Sequence, residues 1–460
     1  MKTVLLLITL FVSNLALLAE EKKPNIIYII ADDLGYGDLS CYGQKYFETP
    51  NLDQLAAEGI KFTSHYSGST VCAPSRSALM TGQDTGNTYI RGNGVYQLRP
   101  EDTTVAEILK KAGYKTGMIG KSCVTGNTED AQAPHVSGFD YFWGTLSHRT
   151  AHWHYPNKIH TQGELIKIKG NNGKTGSVYI QDKYTEKSLN FIEQSKDSPF
   201  FLLLSFSVPH ATLQAPPESV KPFIGKFEDE VSYKGGHYLA CKHIKATHAA
   251  MVTRMDQHVG QVMAKVKELG LDDNTLICFT SDNGSHVEGG YHYSMLESNG
   301  VLRGGKRDLY EGGIRVPFIA KWANTIKPGT VTEHPSAFWD FMPTACDIAG
   351  VDTPNNIQGV SFLPTLKGQE QKKHPYLYWE IKIKDDGRVA LRKGDWKIVR
   401  YDVDRKKNKT KYELYNLSED ISEENDLSEE RPEKLAELLQ VLKKARTESP
   451  VEKWNFETQL

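Results

Sequence analysis

The sequence predicts an α/β protein: a large doubly wound mixed sheet, followed by a smaller C-terminal α+β subdomain that contains an antiparallel sheet and a helix. Two observations predict this fold class. Continuous apolar runs, typical of strands buried on both faces of a sheet, alternate with helical segments over most of the chain. After about residue 366, shorter segments alternate between apolar and polar residues, and one amphipathic helix follows them.

The first part, residues 20–365, is predicted to be the catalytic domain. Its apolar runs cover residues 24–31, 114–119, 199–206 and 275–280. Segments with helical start and stop signals lie between them, at residues 50–59, 104–112 and 245–269. The C-terminal subdomain, residues 366–460, is predicted to hold strands at residues 375–381, 388–393, 396–401 and 411–415 and a helix at 429–447.

Length and composition narrow the class of protein. A chain of 460 residues has room for two or three domains. Hydrophobic residues at 39% and charged residues at 24% exclude a disordered chain, a coiled coil and a multi-span membrane protein. The 55 Lys and Arg residues nearly balance the 57 Asp and Glu residues, giving a net charge of −2. We therefore expect no nucleic-acid partner, and any anion must bind to a local cluster of cations.

The N-terminal 19 residues have the pattern of a cleavable signal peptide. A charged start, Met1-Lys2, precedes an apolar run over residues 4–18, and a small residue, Ala19, precedes a polar turn. The alternative is a short membrane anchor. That run is shorter than the ~20 residues a spanning helix needs, and polar residues interrupt it at 13 and 14. We expect an exported protein, periplasmic or secreted, with no membrane span after cleavage.

Polar side chains follow each of the four apolar runs at the point where the predicted strand ends. In a doubly wound sheet, the carboxyl ends of the strands form the site, so these side chains are expected to meet. Carboxylate and amide oxygens are ligands suited to Ca²⁺ or Mg²⁺, whereas zinc prefers His or Cys. The strand-end residues are Asp32, Asp33, Lys121, His210, Asp282 and Asn283.

Cys72 begins a predicted helix that Gly82 closes. Free amides and the helix dipole at such a position favour an anion, either a thiolate or a bound oxyanion. From the residues alone, Cys72 is a candidate thiol nucleophile, although no obvious His partner lies near it in the sequence.

At this point the chain resembles the type I sulfatases of the alkaline phosphatase superfamily. Their Cys-x-Pro-x-Arg sequence is filled by Cys72, Pro74 and Arg76. The surrounding order is also similar: residues 32–38 resemble the first metal-binding turn, 280–284 the second, and 302–306 with 310–317 the sulfate-binding lysine region. The resemblance spans residues 25–317 and is strongest to polysaccharide and glycosaminoglycan sulfatases.

The resemblance implies a mechanism and a set of partners. A formylglycine-generating enzyme would oxidise Cys72 to formylglycine (3-oxoalanine), whose hydrate attacks the sulfur. One Ca²⁺ would be bound by Asp32, Asp33, Asp282 and Asn283. Lys121 and Lys306 would neutralise the sulfate oxygens, and Arg76 would hold the hydrated aldehyde. His210 would act as general acid for the leaving oxygen.

One position departs from the family pattern. After the second predicted strand, the family usually has a His two residues beyond the Lys, where it contacts the formylglycine hydroxyls. This chain has Lys121 followed by Ser122 and Cys123. Some polysaccharide-type sulfatases also lack that His. The base that collapses the covalent intermediate is left unassigned.

Residues 147–156 form the candidate substrate-binding loop. Three His, one Arg, a Trp and a Tyr within ten residues suit a carbohydrate, because aromatic faces pack on sugar rings and forked donors bind hydroxyls or sulfate. The alternative is a locally packed loop with incidental polar groups. The loop resembles those of sulfatases that act on sulfated galactans and glycosaminoglycans. The candidate contacts are Arg91, His148, Arg149, His152 and His154.

Three functions remain open from the sequence. The first is hydrolysis of sulfate monoesters on a sulfated carbohydrate substrate. The second is hydrolysis of phosphonate or phosphate esters by a member of the same superfamily; those enzymes tend to carry a His beside the second metal-binding Asp, where this chain has Asn283. The third is a non-catalytic sugar-binding protein, if Cys72 is never matured.

Overall fold

The computed structural model describes residues 23–384, 386–401 and 411–455. The predicted signal peptide, residues 1–19, lies outside the described residues. Within the described ranges, no helix has the length and apolar character that crossing a membrane requires.

A ten-stranded mixed sheet forms the centre of the molecule, with the strand order β11-β2-β10-β9-β1-β8-β4-β5-β6-β7. Its middle is parallel, and antiparallel strands extend it on both sides. The strands of the chain are β1 (Asn25–Asp32), β2 (Ile60–Phe62), β3 (His65–Tyr66), β4 (Lys115–Lys121), β5 (Tyr141–Thr145), β6 (Lys158–Thr161), β7 (Glu164–Lys167), β8 (Phe200–Pro209), β9 (Thr275–Ser281), β10 (Phe318–Lys321), β11 (Thr330–Thr332), β12 (Ser336–Ala337), β13 (Leu377–Ile383), β14 (Asp386–Lys393), β15 (Trp396–Arg400) and β16 (Glu413–Asn416).

Helices cover both faces of this sheet. The helices of the described chain are α1 (Pro50–Ala57), α2 (Cys72–Thr81), α3 (Val105–Lys111), α4 (Ala133–Val136), α5 (His148–Ala151), α6 (Ile180–Ser195), α7 (Pro217–Val220), α8 (Ile244–Glu268), α9 (Glu311–Ile314), α10 (Phe341–Ala349), α11 (Leu363–Leu366) and α12 (Pro432–Leu442), the last of which packs on the C-terminal sheet. The start of α3 shows how local sequence fixes such bounds: the Thr104 hydroxyl accepts from the Glu107 amide, and the Glu107 carboxylate accepts from the Thr104 amide.

The central strand β1 divides its side chains between two hydrophobic cores. Ile27 and Ile29 pack with residues of α1, α6 and α8 on one face. Ile26 and Tyr28 pack with residues of α2, α3 and α10 on the other. Because both faces of this strand are buried in apolar cores, its successive side chains are apolar, which explains the unbroken apolar run in the sequence. The doubly wound mixed sheet predicted from the sequence is confirmed.

The four strands β13 to β16 form a separate antiparallel sheet in sequence order. One face packs against Leu438 and Leu442 of α12. The other face packs Trp379 and Ala390 against a cluster that includes Ala78 of α2, so the C-terminal subdomain supports the helix that begins at Cys72. The division at residues 365 and 366 stays a prediction.

The C-terminal helix is shorter than the sequence predicted. It runs from Pro432 to Leu442 rather than over residues 429–447. Proline has no amide hydrogen and a fixed φ, so it favours the first turn of a helix and not an interior position. The apolar pattern beyond Leu442 is satisfied in another way, because Ala445 packs into the same core from a turn.

Candidate active site

The predicted strand-end residues do meet at one edge of the sheet. Strand β1 lies between β8 and β9 and is parallel to both. Asp32 ends β1 opposite Pro209, the last residue of β8, so His210 comes next to the Asp32–Asp33 pair. Lys121 ends β4, which lies on the far side of β8, and Asp282 follows β9. The parallel register therefore brings together side chains that are up to 250 residues apart in the sequence.

Helix α2 brings Cys72 to this edge. Val71 before it is extended, and Gly82 after it takes the left-handed conformation, with φ at 68°, that ends the helix. Ser75, one turn into α2, donates a hydrogen bond to the backbone oxygen of Asp282, 2.5 Å away. The Cys72 Sγ lies 3.5 Å from Asp32 Oδ1. The helix is thus fixed against the same strand ends that carry the carboxylates.

Cys72 is buried, and this changes the expectation for its thiol. Burial raises the pKa of Cys72, and the nearby carboxylates of Asp32 and Asp282 raise it further, although Lys121 and Lys306 act against them. Burial therefore outweighs the helix N-terminus, which alone would favour a thiolate. This burial disfavours the thiolate form of an unmodified Cys72.

The four predicted metal ligands lie together and fit a hard divalent cation. Asp32, Asp33, Asp282 and Asn283 are all fully buried. Asn283 donates through Nδ2 to Asp33 Oδ1 at 2.7 Å, while its Oδ1 is buried without a hydrogen-bond partner among the described residues. A buried oxygen without a donor is costly unless a ligand completes it. Three carboxylates and that amide oxygen form the all-oxygen donor set that Ca²⁺ takes in proteins.

The backbone at Asp33 has a conformation that favours this arrangement. Its φ is 64°, in the left-handed region that Asp tolerates better than most residues. The Asp33 amide donates to Asp282 Oδ1 at 3.1 Å, which joins the two metal-binding turns directly. The sharp turn after β1 therefore lets consecutive carboxylates face the same site.

Each of these carboxylates has a cation beside it. Lys121 Nζ is 2.6 Å from Asp32 Oδ2, and Lys306 Nζ is 2.7 Å from Asp33 Oδ2. The Arg76 guanidinium binds Asp282 Oδ2 at 2.8 Å. All three cations that the sequence proposed for the catalytic set therefore lie beside the candidate metal ligands.

The surroundings shift the pKa values of Asp32 and Asp282 in opposite directions. Burial acts to raise the pKa of Asp32, but Lys121, His210 and Arg76 outweigh it and hold that pKa well below its usual range. Burial and the charge of Asp32 instead raise the pKa of Asp282 to about 7. A divalent cation would favour the ionised form of all three carboxylates.

Cys123 stands where the family that the sequence resembles usually has a His, and its side chain contacts Arg76 and Ser205. Its Sγ is 3.3 Å from Arg76 Nη1 and 3.9 Å from the Ser205 hydroxyl. Arg76 Nη1 also donates to Ser205 Oγ at 2.5 Å. Cys123 therefore packs against the guanidinium that binds Asp282 and helps to fix its orientation.

His210 is held in one tautomer. Its Nδ1 faces the backbone oxygen of Ala211, which only accepts, so Nδ1 carries the hydrogen. Its Nε2 accepts from Lys306 Nζ at 2.8 Å and lies 3.3 Å from Asp33 Oδ2. Burial lowers the pKa of His210, although Asp33 acts to raise it. The neutral ring thus points a lone pair at an ammonium group.

Glu288 binds the same lysine and was not predicted. Its Oε2 is 3.0 Å from Lys306 Nζ and 3.1 Å from the Tyr238 hydroxyl, and its Oε1 pairs with Arg307. Burial acts to raise the pKa of Glu288, but Lys306, His210 and Arg307 together hold it far below its usual range. No motif marks this residue, which follows the second metal-binding turn.

The candidate substrate loop begins with the short helix α5, and three of its residues line the cleft above Cys72. His148 donates from Nε2 to the Ser122 backbone oxygen at 3.0 Å, so its Nδ1 presents a lone pair that has no partner in the described part of the chain. His152 stacks on His210 with ring centroids 3.7 Å apart. Arg149 is exposed at the rim. These three residues line the cleft, so each is placed to contact a substrate that enters it.

The other two candidate substrate contacts lie elsewhere. His154 accepts from Gln181 at Nδ1 and donates from Nε2 to the His210 backbone oxygen at 3.3 Å, so it supports His210 from beneath. Arg91 is buried and pairs with Glu380 Oε1 at 3.0 Å in the C-terminal subdomain. Neither residue lines the cleft, and a direct contact of either with the substrate stays a prediction.

The cleft has a volume of about 180 Å³ and is lined mainly by polar and charged groups. Six residues that sequence reasoning missed contribute to it: Asn93, Asn127, His237, Tyr238, Glu288 and Arg307. Asn93 and Asn127 each adjoin a glycine of the cleft wall, a turn signal that the sequence offers in many places. The others lie in irregular segments without periodicity.

A larger groove, of about 880 Å³, lies near the start of β9 at the opposite edge of the sheet. Its charged groups neutralise one another: Lys321 pairs with Glu58 at 2.8 Å and with Asp272 at 2.9 Å. It contains neither the nucleophile nor the carboxylate set. Chemistry rather than size therefore identifies the smaller cleft as the site.

Comparison with known proteins agrees with this geometry. Residues 24–351 match the sulfatase family model, and residues 304–449 match a model described as N-sulphoglucosamine sulphohydrolase, C-terminal. The chain is 30% identical to the mouse steryl-sulfatase, over 78% of this chain and 67% of that protein. It is 29% identical to an N-acetylgalactosamine-6-O-sulfatase of Bacteroides thetaiotaomicron, over 93% of this chain and 94% of that protein.

Among solved structures, Ps i-CgsB in complex with k-i-k-neocarrahexaose superimposes with a TM-score of 0.79 at 28% sequence identity. The match covers 95% of this chain and 96% of that one.

Proposed function

The chain belongs to the sulfatase family and is a sulfuric ester hydrolase, and from that premise we propose that it removes sulfate from a sulfated saccharide by means of a formylglycine at position 72 and one bound Ca²⁺. The observation that carries this proposal is the convergence of Cys72, the buried all-oxygen set of Asp32, Asp33, Asp282 and Asn283, and the two lysines 121 and 306 at one sheet edge.

Three comparisons support a sulfated saccharide as the substrate class. The relative from Bacteroides thetaiotaomicron is named for N-acetylgalactosamine-6-O-sulfate, and Ps i-CgsB was solved with a neocarrahexaose. The C-terminal family model is named for N-sulphoglucosamine. The polar cleft with His148 and Arg149 at its wall suits the hydroxyls and charges of such a sugar. We propose the galactan or glycosaminoglycan type.

Conversion of Cys72 is supported by its motif and by its burial. The Cys-x-Pro-x-Arg sequence is complete, and burial disfavours the thiolate, which is the nucleophilic form of an unmodified cysteine. The hydrated aldehyde would supply an oxygen nucleophile and a second hydroxyl whose deprotonation releases inorganic sulfate. A formylglycine-generating enzyme is the partner needed for this step, and export through the predicted signal peptide would place the mature protein in the periplasm or outside the cell.

The metal and the cations share the stabilisation of charge. Asp32, Asp33, Asp282 and Asn283 would hold the Ca²⁺, which would supply Lewis acidity to the site when bound. Lys121 and Lys306 lie on either side of that set and neutralise oxygens on which charge develops. Arg76, fixed by Ser205, is positioned to orient the residue-72 hydroxyls.

His210 is the residue proposed to protonate the leaving oxygen, and Nε2 is the atom that delivers the proton. Nδ1 is occupied by the Ala211 carbonyl, while Nε2 faces the cleft beside Lys306. The neutral ring carries no proton at Nε2, so this role requires His210 to take one up there before each turnover. Solvent in the cleft is the source, because, against the effect of burial, Asp33 and Glu288 hold the pKa of Lys306 well above its usual range. A sugar alkoxide is a poor leaving group, so this proton contributes on the order of 10²–10⁴ in rate.

The experiment that tests the proposal measures inorganic sulfate released from a panel of defined sulfated saccharides. The protein is produced with and without a formylglycine-generating enzyme, and the peptide that contains residue 72 is analysed by mass. We expect activity to rise with the fraction of aldehyde. Cys72→Ala should be inactive, whereas Cys241→Ser, a change at a buried thiol outside the site, should stay active.

Full activity of a preparation in which residue 72 is entirely an unmodified cysteine would refute the proposed chemistry. The alternative, a phosphonate or phosphate ester hydrolase, is tested in the same assay with aryl phosphate and phosphonate esters, and faster turnover of those esters than of every sulfate would favour it.

A further inference from the structure

Glu288 occupies a position that the proposed reaction does not use. Its side chain is 11% exposed and lines the cleft itself, unlike the carboxylates of the candidate metal set. Its Oε2 lies 3.0 Å from Lys306 Nζ and 3.4 Å from His210 Nε2. A fixed negative charge thus stands beside the two groups that face the sulfate and the leaving oxygen.

The carboxylates and the cations at the centre of the site are equal in number. Four carboxylates and four cations form pairs at its centre: Asp32 with Lys121, Asp33 with Lys306, Asp282 with Arg76, and Glu288 with Arg307. Removing the Glu288 charge would take away the acidic partner of Arg307 and would leave Asp33 as the acidic partner of Lys306, beside its hydrogen bond to His210. The site would then be more positive by one unit on the side of the cleft.

Sulfate and phosphate monoesters differ in charge far more than in shape. A sulfate monoester carries one negative charge, whereas a phosphate monoester carries between one and two near neutral pH, since its second pKa is about 6. A carboxylate a few ångströms away repels the second charge of the phosphate in addition to the first. In a partly buried site, one such interaction changes affinity by about tenfold to a hundredfold.

We propose that Glu288 is a specificity-determining residue, which makes this site select the singly charged sulfate ester and reject the doubly charged phosphate ester. The inference deepens the proposed function and rests on it. Glu288 acts through its charge and through its hold on Lys306 and Arg307, and it takes no part in bond making or breaking.

The test compares two substrates with the same leaving group, nitrophenyl sulfate and nitrophenyl phosphate, on the matured, Ca²⁺-loaded enzyme. We expect Glu288→Gln to raise the ratio of kcat/KM for phosphate to that for sulfate by about tenfold or more, and to strengthen inhibition by inorganic phosphate. Glu288→Asp keeps the charge and should keep the ratio near that of the parent enzyme.

Two further variants control for general charge effects. Glu297→Gln removes a carboxylate that pairs with Lys45 at the surface, and it should leave the ratio unchanged. Arg307→Gln frees the Glu288 carboxylate from its partner and should shift the ratio toward sulfate. This variant also keeps the proposal testable if Glu288→Gln fails to fold.

Equal losses on both substrates in Glu288→Gln, with the ratio within twofold of the parent, would show that Glu288 is only structural and would overturn the inference. A parent enzyme that hydrolyses both esters equally well would also overturn it while leaving sulfate hydrolysis intact. Phosphate hydrolysis without any sulfate hydrolysis would instead refute the proposed function itself.

Discussion

Lys306 Nζ lies 2.8 Å from His210 Nε2 and donates a hydrogen bond to it. The opposite ring nitrogen faces the Ala211 carbonyl, so the imidazole can neither turn over nor exchange its tautomer without losing both contacts. His152 stacks on one side of the ring, and His154 holds its backbone oxygen. The imidazole that we propose as the general acid is therefore held in one orientation beside an ammonium group.

The first prediction concerns this acid. His210→Ala should slow hydrolysis of a sugar sulfate by about 10²–10⁴ and that of nitrophenyl sulfate much less, because a nitrophenolate leaves without protonation. The measurement is kcat for both substrates with one enzyme preparation. His292→Ala, at an exposed imidazole, serves as the control and should leave both rates unchanged. Equal losses on both substrates would show that His210 does not act as the acid.

The second prediction concerns the metal. Removal of Ca²⁺ with a chelator should abolish activity and lower the melting temperature, and added Ca²⁺ should restore both. A cation at a hundred times its Kd stabilises the folded protein by about 2.7 kcal/mol. Asp282→Asn should lose the stabilisation by Ca²⁺ as well as the activity. Stoichiometric zinc on which activity depends would contradict the all-oxygen site and favour the phosphate-ester alternative.

The place of the candidate site could be predicted from the sequence because several of its residues directly follow buried strands. Asp32, Lys121, His210 and Asp282 end buried strands whose apolar runs are visible in the sequence, and the parallel arrangement fixes where such ends meet. The sequence therefore predicted that these side chains meet, although it could not give their pairings.

Other parts of the fold and of the candidate site have no apolar run or motif in the sequence that predicts them. Strands β6 and β7 alternate weakly and are mostly exposed, so nothing distinguishes them from a polar loop. Glu288 and Arg307 lie in irregular turns. Arg91 has the donor chemistry of a substrate contact, but its partner Glu380 is 289 residues further along the chain. Only the packing of the C-terminal sheet against the catalytic domain reveals that pairing.

The third prediction concerns Arg91, which lies outside the cleft and pairs with Glu380. Its guanidinium is buried against Glu380 and also donates to the Thr447 backbone oxygen at 2.9 Å. Arg91→Met should leave a buried carboxylate with one partner fewer and destabilise the protein by about 3–5 kcal/mol. KM for the saccharide should not change. Arg99→Met, at a partly exposed ion pair, should cost about 1 kcal/mol or less. A large rise in KM without loss of stability would restore the substrate contact.

The fourth prediction concerns the pH dependence of stability. Burial raises the pKa of Asp84 to about 7, against about 3.9 in an unfolded chain. Between these values the folded protein binds more protons at this group than the unfolded chain does, so the contribution of Asp84 to stability is greatest below pH 4 and is lost as the pH rises to about 7. Asp84→Asn keeps the Oδ1 atom that accepts from Gly86 and Asn87.

The melting temperature of Asp84→Asn, relative to the parent, should therefore rise from pH 4 to pH 7 and then stay level. Glu48→Gln, at an exposed carboxylate, serves as the comparison and should show little change across the same range. A difference for Asp84→Asn that is independent of pH would mean that Asp84 is ionised throughout.

The last prediction separates recognition from chemistry at the cleft. His152 is a poor probe of sugar binding, because it stacks on His210 and its removal would disturb the acid. Arg149 is cleaner: it lines the cleft, is exposed, and its amide is held by Asn127 rather than by any catalytic group. Loss of a hydrogen bond from a charged donor costs about 1.5–3 kcal/mol. Arg149→Ala should therefore raise KM for the saccharide by about tenfold to a hundredfold and leave nitrophenyl sulfate hydrolysis nearly intact, since that substrate has no sugar to bind.

Lys158→Ala, at an exposed cation outside the cleft, is the control and should change neither KM for the saccharide nor nitrophenyl sulfate hydrolysis. If Arg149→Ala lowered hydrolysis of both substrates to the same degree, the loop would be structural, and the saccharide would have to be bound by other residues that line the cleft, such as Asn93 and Tyr238.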